Sequence, residues 1–142
     1  MMSGIRGRNT RPEIAIRQGL HREGFRFRLN DRRLPGRPDI VLPRWRAVVF
    51  VHGCFWHGHD CSLFKWPRSR EAFWREKITG NRSRDLDTAS LLLQAQWRVL
   101  AIWECALRGR SRLGTEETVV RAAEWIRSGL QIGEIRGEDG DR

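Results

Sequence analysis

One segment of twelve residues concentrates the metal-binding chemistry of this chain. The stretch FVHGCFWHGHDC, residues 50–61, holds three of the four histidines and two of the three cysteines. The third cysteine, Cys105, follows the apolar run WRVLAIW at residues 97–103. Structural zinc sites take four nitrogen or sulfur ligands, so the cysteines and one histidine predict a zinc site that joins two distant parts of the chain. Spacing leaves open whether that histidine is His57 or His59, and the alternative is cysteines buried for packing alone.

The hydrophobic pattern around this segment predicts an α/β sheet with helices on its faces. Thr10 and Glu13 have the spacing of a capping box that starts a helix. Strands are predicted over 25–29, 38–42, 47–51 and 97–103. Helices are predicted over 71–78, over 84–96 with Leu86, Leu92 and Leu93 facing inward, and from a cap at Thr115. The predicted domain covers residues 1–130, and a polar tail without fixed structure covers 131–142.

The charge of the chain indicates a polyanionic partner. The formal net charge is +10, and residues 1–50 carry 12 basic against 4 acidic side chains. Nearly all of the positive charge is arginine, which makes bidentate contacts to phosphate and guanine. Nucleic acid is therefore the first candidate partner. The absence of tyrosine excludes strand transfer through a covalent phosphotyrosyl intermediate.

Asp39 is the carboxylate best placed for phosphodiester chemistry. It begins the predicted strand PDIVL, after a loop that carries Arg37. Metal-assisted hydrolysis needs a carboxylate on a rigid element, further oxygen ligands and a group that activates water. The adjacent strand AVVFVH ends at His52, and Glu13 lies on the preceding helix, which resembles the core of restriction nucleases. The alternative interpretation is a turn aspartate that follows an Arg-Pro pair.

The motifs PGRPD, HGCFWH, FWREKI and WECA occur together and in order between residues 9 and 109. In this combination the chain resembles the very short patch repair (Vsr) DNA mismatch endonucleases. The resemblance implies a restriction-endonuclease-like mixed central sheet flanked by helices, with a structural zinc site. It also implies an endodeoxyribonuclease that nicks one strand beside the thymine of a T:G mismatch, the product of 5-methylcytosine deamination.

The resemblance implies two kinds of metal site. Magnesium, as two ions, is implied at Asp39 with the backbone carbonyl of Val51, and Glu13 matches the helix glutamate of that site. One structural zinc ion is implied at Cys54, His59, Cys61 and Cys105. This assignment leaves His57 for catalysis.

The resemblance also implies roles for residues around the metal sites. His57 is implied as the general base on the attacking water, and Asp85 as the residue that orients it. An aromatic wedge beside the mismatch is implied for Phe55, Trp56 and Trp74. Further DNA contacts are expected from His52, Arg37, Lys77, Asn81 and Met2. For His52, the residues leave three roles open: partner of the metal ligands, phosphate contact or structural histidine.

Two other functions remain compatible with the sequence. One is a restriction-type or nicking nuclease without a strict mismatch requirement, and the other is an inactive, zinc-stapled DNA-binding relative. We expect a monomer that acts on double-stranded DNA, with a functional link to a cytosine-5 methyltransferase and mismatch-repair proteins. The sequence shows neither a long apolar run nor a signal peptide, so we expect a bacterial cytoplasmic protein associated with the nucleoid.

Overall fold

A mixed five-stranded sheet carries the segments of the predicted site. The computed structural model describes residues 10–138. Within that range the strands are β1 Arg28–Leu29, β2 Ile40–Leu42, β3 Ala47–His52, β4 Arg98–Trp103 and β5 Ile132–Ile135. They lie in the order β1-β2-β3-β4-β5, antiparallel from β1 to β3 and parallel from β3 to β5. The described helices are α1 Arg11–Arg22, α2 Glu71–Gln94 and α3 Thr115–Ser128. This confirms the predicted α/β fold with a mixed sheet flanked by helices.

The two faces of the sheet bury separate clusters, because side chains alternate along each strand. The face against α1 and α3 buries a cluster that includes Leu20, Ile40, Val49, Leu100 and Ile126. The face against the end of α2 buries Val41, Val48, Leu92, Trp97 and Val99. Both clusters use β3 and β4, which are therefore the rigid centre of the fold.

The carboxyl ends of β3 and β4 lie side by side because these strands are parallel. Their register pairs His52, the last residue of β3, with Trp103, the last residue of β4. Cys54 follows the first of these ends and Cys105 follows the second. The topology therefore brings the two halves of the predicted zinc set to one edge of the sheet.

The prediction of two helices between residues 71 and 96 is wrong, since α2 runs without a break from Glu71 to Gln94. Gly80 and Asn81 lie inside this helix, and the Asn81 side chain donates a hydrogen bond to the Trp56 carbonyl at 2.7 Å. Leu86 does not face inward as predicted and is 73% exposed. None of the helices among residues 10–138 is long and apolar enough to cross a membrane.

Two helix starts and one strand follow the prediction only in part. The Glu13 backbone N–H donates to the Thr10 hydroxyl at 3.4 Å, which confirms Thr10 as the N-cap of α1. The strand predicted over 25–29 is shortened to Arg28–Leu29, and Phe25 is buried in the core before it. The N-cap of α3 is Gly114, with φ of 95°, and not Thr115.

Part of the predicted C-terminal tail belongs to the sheet. Residues Ile132–Ile135 form β5, which pairs in parallel with β4. Ile135 packs into the core beneath α3, so the strand has an apolar anchor among its polar neighbours. The sequence did not predict this strand because only Ile135 of its residues is buried. Its other residues are exposed or lie toward the edge where the cysteines meet.

Candidate active site and metal centre

Four nitrogen and sulfur ligands meet at the carboxyl ends of β3 and β4. The ligand atoms of Cys54, His59, Cys61 and Cys105 all lie within 4.8 Å of one another. His59 Nδ1 is 3.6 Å from the Sγ atoms of both Cys54 and Cys105. In a tetrahedron with ordinary Zn–S and Zn–N bond lengths, the S···N edge is about 3.6 Å. The residues therefore fit one zinc ion, and His59 is the histidine that the fold places among the cysteines.

The electrostatics of this cluster also favour a bound cation. Burial raises the pKa of the Cys54 and Cys105 thiols above the ordinary value, and the charge of a neighbouring cysteine adds to the rise at each, Cys105 at the first and Cys61 at the second. Backbone N–H groups already point at the sulfurs: Cys105 donates to Cys54 Sγ at 3.3 Å, and Gly137 donates to Cys105 Sγ at 3.3 Å. A divalent cation would offset the cost of burying thiolates here, and the N–H groups would share their charge.

A second site begins with two adjacent carboxyl groups, one half-buried and one buried. Asp39 is half-buried directly before β2 and contacts Glu13 of α1, which is 4% exposed. The Val51 backbone N–H donates to Asp39 Oδ2 at 2.6 Å, which ties the carboxylate to β3. Burial, followed by the charge of Glu13, raises the pKa of Asp39. Two adjacent carboxyl groups in this setting share a proton unless a cation binds, and oxygen ligands suit Mg²⁺.

A histidine and an aspartate are paired near these acids. His57 Nδ1 lies 2.5 Å from Asp85 Oδ2, so the loop after β3 is connected to α2. This contact holds the imidazole so that Nε2 is available to take a proton. The fold therefore brings together the two residues that the resemblance assigned to water activation.

His52 lies in a stack of rings next to this pair. Its ring centroid is 4.1 Å from that of His57, 5.5 Å from that of Phe50 and 5.0 Å from that of Trp103. Burial, with the neighbouring His57 charge, lowers the pKa of His52 to about 3. His52 is therefore a neutral ring at physiological pH, able to donate or accept one hydrogen bond without adding charge.

Three aromatic side chains form one cluster beside the His57–Asp85 pair. Phe55 lies 5.3 Å from Trp56 and 5.3 Å from Trp74, and the two tryptophans are 5.8 Å apart. All three are half-buried. The cluster thus joins the loop after β3 to the first turn of α2, with part of each ring left uncovered for a ligand.

A single cleft of about 1080 Å³ connects these groups. It is lined by most of the predicted residues: Glu13, Arg37, Asp39, Val51, His52, Phe55, Trp56, His57, Lys77, Asn81 and Asp85. Trp74 adjoins it through Trp56. Met2 lies outside the described residues. The sequence prediction overlooked Trp103, Glu104 and Glu134, which also line the cleft.

Glu104 connects the two halves of the zinc centre. Its carboxylate accepts from the Cys54 backbone N–H at 3.0 Å and pairs with Arg108 at 2.6 Å. It therefore supports the loop after β3 from the segment that follows β4. Its position directly before Cys105 in the WECA motif was the only sequence signal for this role.

Comparison with known proteins identifies the family to which this chain belongs. A sequence model described as DNA mismatch endonuclease Vsr matches residues 1–63. The chain is similar to DNA mismatch endonuclease Vsr of Escherichia coli, with 49% identity over 125 residues, 88% of this chain and 80% of the relative. It is also similar to Type II nicking enzyme V.XorIIP of Xanthomonas oryzae, with 49% identity over 85% of this chain and 87% of the relative.

A third relative extends the comparison. Type II nicking enzyme V.NmeAIP of Neisseria meningitidis is 43% identical over 111 residues, 78% of this chain and 79% of the relative. The three relatives are 43–49% identical to this chain over most of each sequence. The cleft of this chain also contains paired acids and a histidine–aspartate pair, and a four-ligand metal cluster lies beside it. The chain therefore belongs to the Vsr family of DNA mismatch endonucleases, and it is an endonuclease.

Proposed function

We propose that this protein nicks one strand of duplex DNA beside the thymine of a T:G mismatch, with Mg²⁺ as the catalytic ion. The observation that carries the proposal is the convergence of three groups in one cleft. These are the acid pair around Asp39, the His57–Asp85 pair and the aromatic cluster that begins at Phe55. Together they supply oxygen ligands, a proton acceptor and a surface for unstacked bases.

Asp39 and Glu13 would hold the cation, with the Val51 carbonyl as a third oxygen and room for two ions in the family manner. Their proximity and burial favour a bound positive charge, as the raised pKa of Asp39 indicates. When bound, Mg²⁺ offsets the negative charge that develops on the phosphate during hydrolysis. The Val51 N–H bond to Asp39 fixes the carboxylate on the central strand, so little reorganisation is needed.

His57 would act as general base. Its Nδ1 faces the Asp85 carboxylate, so the proton on Nδ1 is donated to Asp85 and Nε2 remains free to take a proton from water. Asp85 also stabilises the imidazolium that forms after this transfer. The contact joins the loop after β3, which carries His57, to the long helix α2, which carries Asp85. Both elements would hold the imidazole in one orientation.

The aromatic cluster would provide the mismatch preference. Inserting apolar side chains between base pairs costs about a few kcal/mol for each unstacked step, and a mismatch lowers that cost. Phe55, Trp56 and Trp74 lie beside the catalytic pair, so an unstacked mismatch would be positioned next to the scissile phosphate. Arg37, Lys77 and Asn81 line the same cleft and would contact the backbone or base edges.

A nicking enzyme that needs no mismatch is the second candidate, and one observation favours it. Two of the relatives, at 49% and 43% identity, carry the name Type II nicking enzyme. The test is incubation with Mg²⁺ and labelled duplexes that differ only in one T:G or C:G pair, in several sequence contexts. We expect nicking of the T:G duplex alone. Equal nicking of both would favour the second candidate, and intact DNA in every case would leave only a DNA-binding protein.

Replacing Asp85 with asparagine tests the proposed base. Because an amide can present its N–H₂ group to His57 Nδ1, the imidazole would adopt the wrong tautomer. We expect kcat on the T:G duplex to fall about 100-fold or more, with little change in KM. The matched control is Asp87→Asn, which removes an exposed acid of the same helix two residues away. Equal activity of the two variants would remove Asp85 from the mechanism.

Replacing Trp56 with alanine tests the wedge. If the indole unstacks the mismatch, the variant should nick a T:G duplex about 10- to 100-fold more slowly, which corresponds to a few kcal/mol. A duplex with unpaired bases beside the same site no longer requires that work, so the variant should recover most of its rate there. An equal loss on both substrates would indicate a role in folding or catalysis instead, which thermal unfolding of the variant would distinguish.

A further inference from the structure

The C-terminal segment, which consists of β5 and the three residues after it (132–138), contacts the zinc centre at three points. The Gly137 backbone N–H donates to Cys105 Sγ at 3.3 Å. Arg136 pairs with the Asp60 carboxylate at 2.8 Å and donates to the Asp60 carbonyl at 2.9 Å. Glu134 Oε2 lies 3.9 Å from His59 Nε2. This C-terminal segment therefore closes the outer side of the metal centre.

Trp103 joins the zinc centre to the active-site histidines. Its ring stacks on His59 with centroids 3.9 Å apart and an angle of 8° between the planes. The same indole is 5.0 Å from the His52 ring and 6.0 Å from the His57 ring. One side chain thus contacts a metal ligand and both histidines of the cleft, so its orientation sets their relative positions.

The orientation of that indole is fixed from the C-terminal segment. Trp103 Nε1–H donates to Glu134 Oε2 at 2.8 Å. The register of β4 and β5 pairs Ala101 with Glu134 and Ile102 with Ile135, so the acid lies on the strand next to the tryptophan. About half of the Glu134 side chain is exposed to solvent, so the residue contributes little to the packing of the core. Its specific contribution is the hydrogen bond to the indole.

We propose that Glu134 is a positioning residue, whose carboxylate fixes the Trp103 indole and thereby the place of the two active-site histidines relative to the zinc centre. The consequence is that β5 contributes to the active site through the hydrogen bond that Glu134 accepts from the indole. The inference rests on the proposed function, since it assigns His57 to catalysis. It concerns the geometry of the histidines, however, and can be tested without nicking.

The test uses the zinc-loaded protein, four variants of the Trp103–Glu134 pair and one control variant. Glu134→Ala and Trp103→Phe each remove the hydrogen bond between these two residues. The double variant loses the same single bond. Glu134→Gln keeps an oxygen acceptor but removes the charge. The matched control is Glu138→Ala, which removes another acid of the C-terminal segment that pairs with Arg121. Zinc content and thermal unfolding are measured for each protein, so that a variant that fails to fold is recognised.

We expect Glu134→Ala and Trp103→Phe each to lower kcat on the T:G duplex about 10-fold, as loss of a partner behind a site residue does. KM should stay within about 2-fold. The double variant should be no slower than either single variant, since both lose one interaction. Glu134→Gln should recover most of the rate, the control should match the unmodified protein, and every variant should retain one zinc ion.

Nitrogen-15 NMR of the imidazole rings gives the readout that does not depend on nicking. The Trp103 ring current acts on His52 and His57, so Glu134→Ala should shift or broaden both ring signals while Glu134→Gln and the control leave them in place. Unchanged ring signals in Glu134→Ala would overturn the proposal, whether or not the protein nicks DNA. Additive losses in the double variant, or no recovery in Glu134→Gln, would also overturn it. Shifted ring signals in a protein that nicks no duplex would refute only the proposed function.

Discussion

Replacing Asp39 with asparagine should abolish nicking and at the same time stabilise the metal-free protein. The amide keeps an oxygen that can accept the Val51 N–H bond, but it supplies no charge for the cation. If the ion contributes about 4 kcal/mol to the transition state, the nicking rate falls about 1000-fold. A residue that only packed would show the opposite pattern, with lower stability and retained activity.

The stability gain follows from the direction of the pKa change. Burial and the Glu13 carboxylate raise the pKa of Asp39 from 3.8 to about 8 in the folded protein. The folded state then binds more protons than the unfolded state, so the free energy of unfolding falls as the pH rises from about 4 to about 8. In the asparagine variant, position 39 does not ionise, so this fall in the free energy of unfolding does not occur. At pH 8 we expect it to be more stable by about 1–3 kcal/mol, or about 3–8 °C in Tm, and at pH 4 nearly equal.

Thermal unfolding with and without Mg²⁺ measures both effects. In the unmodified protein, Mg²⁺ should raise Tm at pH 8, because binding to the folded state alone stabilises it. The Asp39→Asn variant should not respond to Mg²⁺. Asp87→Asn, an exposed change elsewhere on the surface, should respond like the unmodified protein. Retained nicking, or an unchanged Mg²⁺ response in Asp39→Asn, would remove Asp39 from the metal site.

The sequence predicted the chemical groups of this site better than it predicted the elements that hold them. The zinc set, the acid at the start of β2 and the ends of two apolar strands carry strong local signals. Cysteine and histidine are rare here, and apolar runs such as AVVFV are distinctive. Parallel strands end at one edge of a sheet, so residues that follow two such runs meet in space. The cluster around Cys54 could therefore be predicted from order along the chain.

The supporting elements could not be predicted because long-range contacts decide them. The prediction left residues 79–83 between two helices, yet α2 is continuous there, and its Asn81 side chain donates to the distant Trp56 carbonyl. Leu86 suggested an apolar helix face, but the amphipathic pattern of α2 is weak and only Ile78 and Leu92 are buried along it. Propensity is a weak guide where tertiary contacts dominate.

The missed C-terminal strand illustrates the same limit. Residues 132–135 contain one buried apolar residue, Ile135, and no alternation strong enough to predict a strand. The strand exists because β4 offers an unpaired edge and because Arg136 and Gly137 bind the zinc segment. Those partners lie 76 and 32 residues away along the chain, and no local pattern reports them.

Replacing Cys105 with serine should release zinc and unfold the loop that carries His57, the proposed general base. Cys105 is the ligand that follows β4, and the other three lie within nine residues after β3. Without it the ion would be held by one loop alone and would no longer cross-link two strands. Structural zinc contributes about 10 kcal/mol or more to the folding of small zinc domains. In this larger core we expect a loss of several kcal/mol, seen as a Tm lower by about 10 °C or more.

Zinc content after dialysis against a chelator, followed by thermal unfolding, measures this expectation. The unmodified protein should retain one zinc per chain and the Cys105→Ser variant almost none. Because every cysteine of the chain belongs to the cluster, the matched controls are histidine variants. His59→Asn should lose zinc as Cys105→Ser does, whereas His21→Asn, on the exposed side of α1, should keep it.

The activity of these variants distinguishes a structural zinc from a catalytic one. Zinc loss frees the loop from Cys54 to Cys61, so His57 loses its fixed place beside Asp85 and nicking should fall together with Tm. Excess zinc added to His59→Asn should not restore the nicking rate, even at a lower temperature, because in the proposed mechanism the reacting ion binds at the acid pair around Asp39 and not at the zinc centre. A Cys105→Ser protein with stoichiometric zinc and unchanged Tm would refute the four-ligand site. Full nicking by a zinc-free, folded variant would show that the loop needs no metal to position its histidine.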